Sequence, residues 1–220
     1  MWGPSAPFFI FPANNTIVMP FPTTNAQTEL QAVNEILASV GQAPVTTLDQ
    51  TNPDVAIAYD TLVQVSREVQ AEGWTFNTEY EYTFTPDSNN EIPIPNNVLQ
   101  LDLTPSYRDK DATFRQGKLY DRTGHTFEWS EPVKCDVIWL FSWNDLPVPV
   151  RDYVTARAAS IVSSRIVGDS TQYQMLQQRE AYTRAMALEY ECNQGDYTFF
   201  GHPRGANYYT SYEPYRALYR

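Results

Sequence analysis

The hydrophobic period of this chain changes twice, and those two changes bound what it can fold into. From Thr28 to Gly73 apolar residues recur at helical spacing, from Trp74 they alternate one by one, and after Pro147 and Pro149 the helical spacing returns. A stretch patterned for a helix cannot present the same side chains as a strand, because successive side chains turn by about 100° in one and 180° in the other. The expected fold class is therefore α+β: an antiparallel helical bundle with an inserted small antiparallel β domain. Its expected parts are an extended Pro/Phe-rich arm at 1–27, a bundle built from 28–73 and 147–194, a β domain at 74–146, and a Tyr-rich arm at 195–220.

The boundaries carry their own chemistry. Thr28-Glu29-Leu30-Gln31 is a capping box, with Gln31 placed to reach back to the cap amide. Leu30, Val33, Leu37 and Val40 follow at helical spacing, and Gly41 supplies the stop. Asn52-Pro53-Asp54 opens a second helix with a cap residue, a proline at the first helical position and an acid in the first turn. Val55, Tyr59, Leu62, Ser66 and Val69 trace its inner face as far as Gly73. Trp74, Phe76, Thr78, Tyr80, Tyr82 and Phe84 then alternate with Thr75, Asn77, Glu79, Glu81, Thr83 and Thr85, which predicts one long half-buried strand with its rings on one face.

Pro86 to Asn90 reads as a turn and Val98–Leu103 as a second strand. Phe114 to Tyr120 and Thr126 to Trp129 read as a hairpin around Asp121-Arg122-Thr123-Gly124, and Val133 to Trp143 closes the group. Val150, Val154, Ala158, Ile161 and Val162 mark a third helix, with Ala156, Ala158, Ala159 and Ser160 small enough for close helix approach, and Gly168 ends it. Asp169-Ser170 caps a fourth, running to about Asn193, whose expected contacts are Tyr173, Leu176, Met186 and Tyr190.

The first arm sets Pro4, Pro7, Pro12, Pro20 and Pro22 among Phe8, Phe9, Phe11 and Phe21. Proline at that density blocks helix and sheet ladders alike, so aromatic knobs on an extended segment are expected, either mobile or, as the favoured alternative, packed on a neighbouring subunit. The chain carries a net charge of −11, and only Lys110, Lys118 and Lys134 are lysines; no Lys or Arg occurs before Arg67. Gripping phosphate backbones takes clustered cations, so specific nucleic-acid binding is not expected, whereas an acidic surface suits a wall along which DNA slides. The N-terminus lacks a cationic segment, and the longest apolar runs, such as Val137 to Phe141, fall far short of a membrane span. A soluble protein made in the cytoplasm, with no membrane partner, is expected. Cys135 and Cys192 lie far apart and read as two free thiols of a reduced compartment.

No catalytic, cofactor-binding or metal site is expected. His125 and His202 show no metal spacing, the cysteines form no Cys-x-x-Cys pair, and no nucleophile elbow, phosphate loop or dinucleotide fingerprint occurs. Carboxylate pairs could serve a glycosidase, and Glu79/Glu81 and Glu189/Glu191 are the candidates. Among 26 acidic residues such pairs arise by chance, and Glu79/Glu81 read as a solvated strand face.

Four stretches in register resemble a known family. Glu29 to Val45, with its run Glu29-Leu30-Gln31-Ala32-Val33-Asn34-Glu35-Ile36-Leu37-Ala38-Ser39-Val40-Gly41-Gln42-Ala43-Pro44-Val45, resembles the opening helix and loop of the T7-like tail tubular protein A family, adaptor or gatekeeper proteins of short-tailed (podovirus) phages. Gly73-Trp74-Thr75-Phe76-Asn77, Leu119-Tyr120-Asp121-Arg122-Thr123, and Asp145-Leu146-Pro147 with Ala156-Arg157-Ala158-Ala159 are similar to that family's helix-to-strand switch, hairpin and third helix. The resemblance runs from about residue 28 to 195. It implies a homo-oligomer, a dodecameric ring between the portal protein and the tail nozzle (tail tubular protein B), with tail fibre protein anchored outside and a central channel for DNA passage during genome ejection. The 15 Tyr and 5 Trp, together with the acidic pairs, leave a carbohydrate-binding or polysaccharide-degrading tail protein as the alternative.

Overall fold

The computed structural model describes residues 27–107 and 110–195. The expectations for Phe8 to Phe21, His202 and the Tyr-rich arm lie outside them. The element order is α1 (Glu29–Ser39), α2 (Pro53–Gln70), β1 (Thr78–Phe84), β2 (Val98–Leu103), β3 (Ala112–Arg115), β4 (Lys118–Asp121), β5 (Val133–Trp139), a short 3-10 turn (Trp143–Asp145), α3 (Val148–Ile166) and α4 (Ser170–Gly195). The fold is α+β.

Helices α1, α2 and α4 begin where side chains replace the missing backbone acceptors, whereas α3 starts after Pro147 with no side-chain cap. The Gln31 N–H donates to Thr28 Oγ1 at 3.2 Å and the Thr28 N–H to Gln31 Oε1 at 2.9 Å. Asn52 Oδ1 accepts from the Asp54 N–H at 3.0 Å, and Asp169 Oδ1 from the Thr171 N–H at 2.7 Å. At the far end of α1, the Gln42 N–H donates to the Leu37 carbonyl and the Gly41 N–H to that of Ala38, the paired bonds of a Schellman stop.

Helix α3 is the centre of the bundle and packs on α1, α2 and α4. Val150, Tyr153, Val154, Ala158 and Val162 meet Ala32, Val33, Ile36 and Leu37 of α1 and Val55, Ala58, Leu62, Val65 and Val69 of α2 in one core. Each fully buried branched side chain contributes about 1.5–3 kcal/mol, so this core, rather than helix propensity, holds the bundle together. The apolar stripe of α1 is wider than Leu30, Val33, Leu37 and Val40: Ala32 and Ile36 are fully buried, whereas Leu30 and Val40 are half-buried at its edges.

Strands β1, β5 and β2 form an antiparallel sheet in that order, and β3 pairs with β4 in a separate hairpin. A second core fills the space between them, with Phe84, Ile92, Leu119, Trp129, Val133, Cys135, Val137 and Trp139 as its main members.

Three expectations need correction. First, β1 does not begin at Trp74. Residues 74–77 form a turn that drops Trp74 back onto the bundle, with the Asn77 N–H donating to the Trp74 carbonyl at 3.1 Å. Gly73 permits this: its φ is +78°, and a Cβ there would stand 2.8 Å from Ile138 Cδ1. Nor does one face carry all the rings. Directly opposed ladder residues share a face, and Glu79 opposes buried Val137 while Tyr82 and Phe84 oppose buried Cys135 and Val133. A one-residue bulge between Glu79 and Tyr82, with Glu81 at φ +56°, exchanges odd for even, so Tyr80 is left 44% exposed.

Second, Phe114 to Tyr120 is itself the hairpin. Gln116 and Gly117, at φ +54° and +75°, break it into β3 and β4, as a two-residue turn with both central residues left-handed requires. The Asp121–Thr126 turn closes on a single bridge, and Thr126 to Trp129 joins the fold through an isolated bridge of Glu128 to Glu91. Third, α4 is mostly uncovered. Among the described residues it buries Ala187 and Gly195 alone; Tyr173, Leu176 and Tyr190 are half-buried, and Met186 is 42% exposed.

Candidate functional site

The carboxylate pairs separate once the backbone is in place. Glu79 and Glu81 are both exposed, and at the bulge Glu81 is tied into the sheet. Its carboxylate pairs with Lys134 at 3.1 Å and its N–H donates to Asp136 Oδ1 at 3.0 Å. Glu189 is exposed on α4, whereas Glu191 is half-buried and accepts from the Thr75 N–H at 3.0 and 3.1 Å and from the Thr75 hydroxyl at 2.9 Å. Residues two apart on a helix do not face each other, so these two carboxylates act separately. His125 is exposed at φ +54° in the Asp121–Thr126 turn. Cys192 is exposed, and Cys135 is a free thiol within the sheet core, its pKa pushed up to about 12 by its burial and by the nearby Asp136 and Asp102.

Replacing Glu79 and Glu81 together by Gln is expected to shift stability by less than about 0.5 kcal/mol, as exposed surface changes do. Glu191→Gln should cost about 1 kcal/mol, because one of two charge-assisted acceptors at Thr75 is lost. Urea melts of both variants check this; a larger cost for the β1 double variant would reverse the two roles.

The residues that sequence reasoning missed are two buried amides. Gln70 and Asn77 are both fully buried where α2 meets the sheet. Asn77 Oδ1 accepts from the Trp74 N–H at 2.8 Å, and its Nδ2 donates to the carbonyls of Gln70 at 2.8 Å and Trp139 at 2.9 Å. The Gln70 side chain accepts from the Phe141 N–H at 2.8 Å and donates to the Phe141 carbonyl at 3.2 Å. Helix α2 and the end of β5 are thus joined through side-chain amides that stand in for a backbone ladder.

Polar contacts also fix α4. The Tyr153 hydroxyl of α3 accepts from Arg184 Nη1 of α4 at 2.6 Å and from Arg157 Nη1 at 3.2 Å. Arg184 reaches Glu72 at 3.2 Å and Arg157 reaches Glu68 at 3.1 Å, tying in the end of α2. The hydrogen bond to Tyr153 holds both guanidinium groups above their already high ordinary pKa. On the other flank Arg179 pairs with Glu35, and Gln172 donates to the Ser39 carbonyl.

Held in that way, α4 turns an apolar line outward. Met175 is 65% exposed, Tyr182 67% and Met186 42%. Their spacings of seven and four residues place them on one stripe of the helix, the geometry of a seam that meets another helix. Neighbouring pairs such as Met175-Leu176 and Met186-Ala187 set one apolar group inward and one outward, and this doubled pattern is the signal that sequence reading could have used. Some of the rings behind the sugar-stacking alternative are engaged within the fold. Tyr82 packs edge-on to Trp139 at 5.2 Å, and Tyr120 lies 4.8 Å from Phe127 with Arg115 over its face. No helix among the described residues is long and apolar enough to cross a membrane.

Two comparisons bear on this arrangement. The family described as tail tubular protein matches residues 30–197. Tail tubular protein A of Klebsiella phage KP34 is 28% identical to this chain over 170 residues, covering 76% of this chain and 88% of that protein.

Proposed function

Given that this chain belongs to the tail tubular protein family, we propose that it is the adaptor subunit of a short-tailed phage tail, a closed homo-oligomeric ring, twelve-membered, joining the portal to the nozzle. As a member of that family it is a structural component of a phage tail in the virion. In this reading, residues 28–73 and 147–194 form the wall of the ring and 74–146 face the tail partners, including nozzle and fibre. DNA passes through the channel without specific binding, a role that suits the net charge of −11. The chain is made in the host cytoplasm, and no reaction is assigned to it.

The observation that carries the reading is α4, a 26-residue helix anchored to its own subunit by ion pairs while Met175, Tyr182 and Met186 point away from it. Such a surface on one subunit meets a different surface on the next, and repeated contacts of that kind close into a ring when the rotation permits. Tyr182→Arg combined with Met186→Glu is expected to abolish ring assembly, with or without portal, while leaving the thermal transition within a few degrees of the parent. Sedimentation and electron micrographs read the outcome. Rings of normal size from the double variant would remove α4 from the interface, and a parent that stays monomeric with portal present would remove the ring.

A further inference from the structure

An apolar pocket of about 140 Å3 opens on one flank of α2, with Tyr59, Leu62, Val63, Phe141 and Trp143 among its walls. The other flank belongs to the α3–α4 side, where Glu68 pairs with Arg157 and, just past the helix, Glu72 pairs with Arg184. Tyr59 and Glu68 are nine residues apart, and nine steps of about 100° set them on opposite sides of α2. The pocket and the outward stripe of α4 therefore open on different sides of one subunit. Of the charged residues that line the pocket, Arg67 is exposed and Glu29 half-buried, and neither makes an ion pair among the described residues. Glu189 continues the α4 stripe three residues past Met186; it is exposed and likewise without an ion pair among the described residues.

We propose that this pocket receives α4 of a second copy of the chain, with Tyr182 as the inserted ring and Glu189 paired to Arg67. The inference rests on the ring reading above and names the two faces that meet. The size agrees, since a dry apolar cavity of about 150 Å3 takes up a benzene ring, and an open mouth leaves the tyrosine hydroxyl in water. The spacing agrees as well. With the two helices parallel and Glu189 level with Arg67, Met186 comes level with Gln64 and beside Val63, which is 42% exposed. Tyr182 then comes level with Asp60, one residue from Tyr59, so it meets the pocket wall. The charges decide the occupant. In a chain with 26 acidic residues against 15 basic ones, two copies repel, except where an unpaired arginine of one meets an unpaired carboxylate of the other. An apolar anchor with a charged pair at its edge is the ordinary build of a subunit contact. Because the two faces differ and lie on different sides, each copy receives one neighbour and enters another.

The test uses the full chain with Cys192→Ser, Val63→Cys and Met186→Cys, oxidised with portal present. Cys135 is buried and stays out of the exchange. A disulfide needs Cα atoms within about 7 Å, so a link reports that the two faces touch. The expected result on non-reducing gels is a ladder of linked chains longer than the dimer, and no link from Val63→Cys or Met186→Cys alone. A second arm reverses the charges without cysteines. Arg67→Glu or Glu189→Arg alone should raise the protein concentration needed for half-assembly about fivefold, and the two together should bring it back towards the parent. A disulfide closed within one chain, a dimer from either single cysteine, or rings that form without the ladder and ignore both charge reversals would each overturn the pairing. In the last case the ring itself stands, whereas a parent that stays monomeric with portal removes the ring and this contact with it.

Discussion

Trp74→Ala lowers the unfolding free energy by about 3–5 kcal/mol, the range for deleting a buried indole and leaving its cavity. Trp74 is 3% exposed and belongs to the bundle core, although the alternating pattern around it is that of a strand. Its Nε1–H donates to the Val69 carbonyl at 2.7 Å in the last turn of α2, so the ring fills the space that the turn at 74–77 encloses. Phe76→Ala is the internal comparison. Phe76 is half-buried, resting against Phe141 with ring centroids 6.4 Å apart, so its loss should cost only about 1–2 kcal/mol. Alternation alone would make the two rings equivalent. Denaturant melts with unchanged m-values separate the two cases: equal costs would mean that the strand extends back to Trp74 after all.

Asn77→Ala costs about 2–4 kcal/mol while removing almost no apolar surface. The Trp74 N–H loses its acceptor and the Trp139 carbonyl loses its side-chain donor in a site closed to water, and each orphaned buried group costs about 1–3 kcal/mol. Asn77→Asp gives a sharper test, because it keeps the shape. Its carboxylate still accepts from Trp74, but its second oxygen replaces an N–H donor against the carbonyls of Gln70 and Trp139. Burial and those carbonyls disfavour the charged form, so the folded-state pKa rises above the unfolded value of about 3.9. The folded protein then holds the proton longer than the unfolded chain, and stability falls as pH rises from about 4 towards that raised value. Asn77→Asp should therefore lie close to the parent at pH 4 and well below it at pH 7. A pH-independent deficit would show that Asn77 acts through packing rather than through its hydrogen bonds.

Much of the fold was legible because its signals are local. A capping box needs only residues three apart, and Thr28 and Gln31 form theirs as written. Asn52, Gly41 and Asp169 likewise mark helix ends by chemistry within a few bonds, and Val98–Leu103 stands where its pattern put it. The exposure of Glu79 and Glu81 was also readable, but not their faces: Glu79 opposes buried Val137, on the side the alternation assigned to the rings. What the tertiary structure alone decided depends on neighbours far along the chain. The bulge at Glu81 adds one residue against β5 and swaps the faces of β1, which no count of alternating residues reveals. Asn77 looked like a solvent-facing strand residue until Gln70 and Trp139, one on a helix and one on a distant strand, supplied carbonyls for its amide. Helix α4 had apolar residues for two faces, and only the placement of α3 settled that Ala187 points inward while Met175 and Tyr182 point out. Periodicity tells which side chains share a face; burial is decided by what the rest of the chain brings against that face, through contacts whose free energy is set at long range.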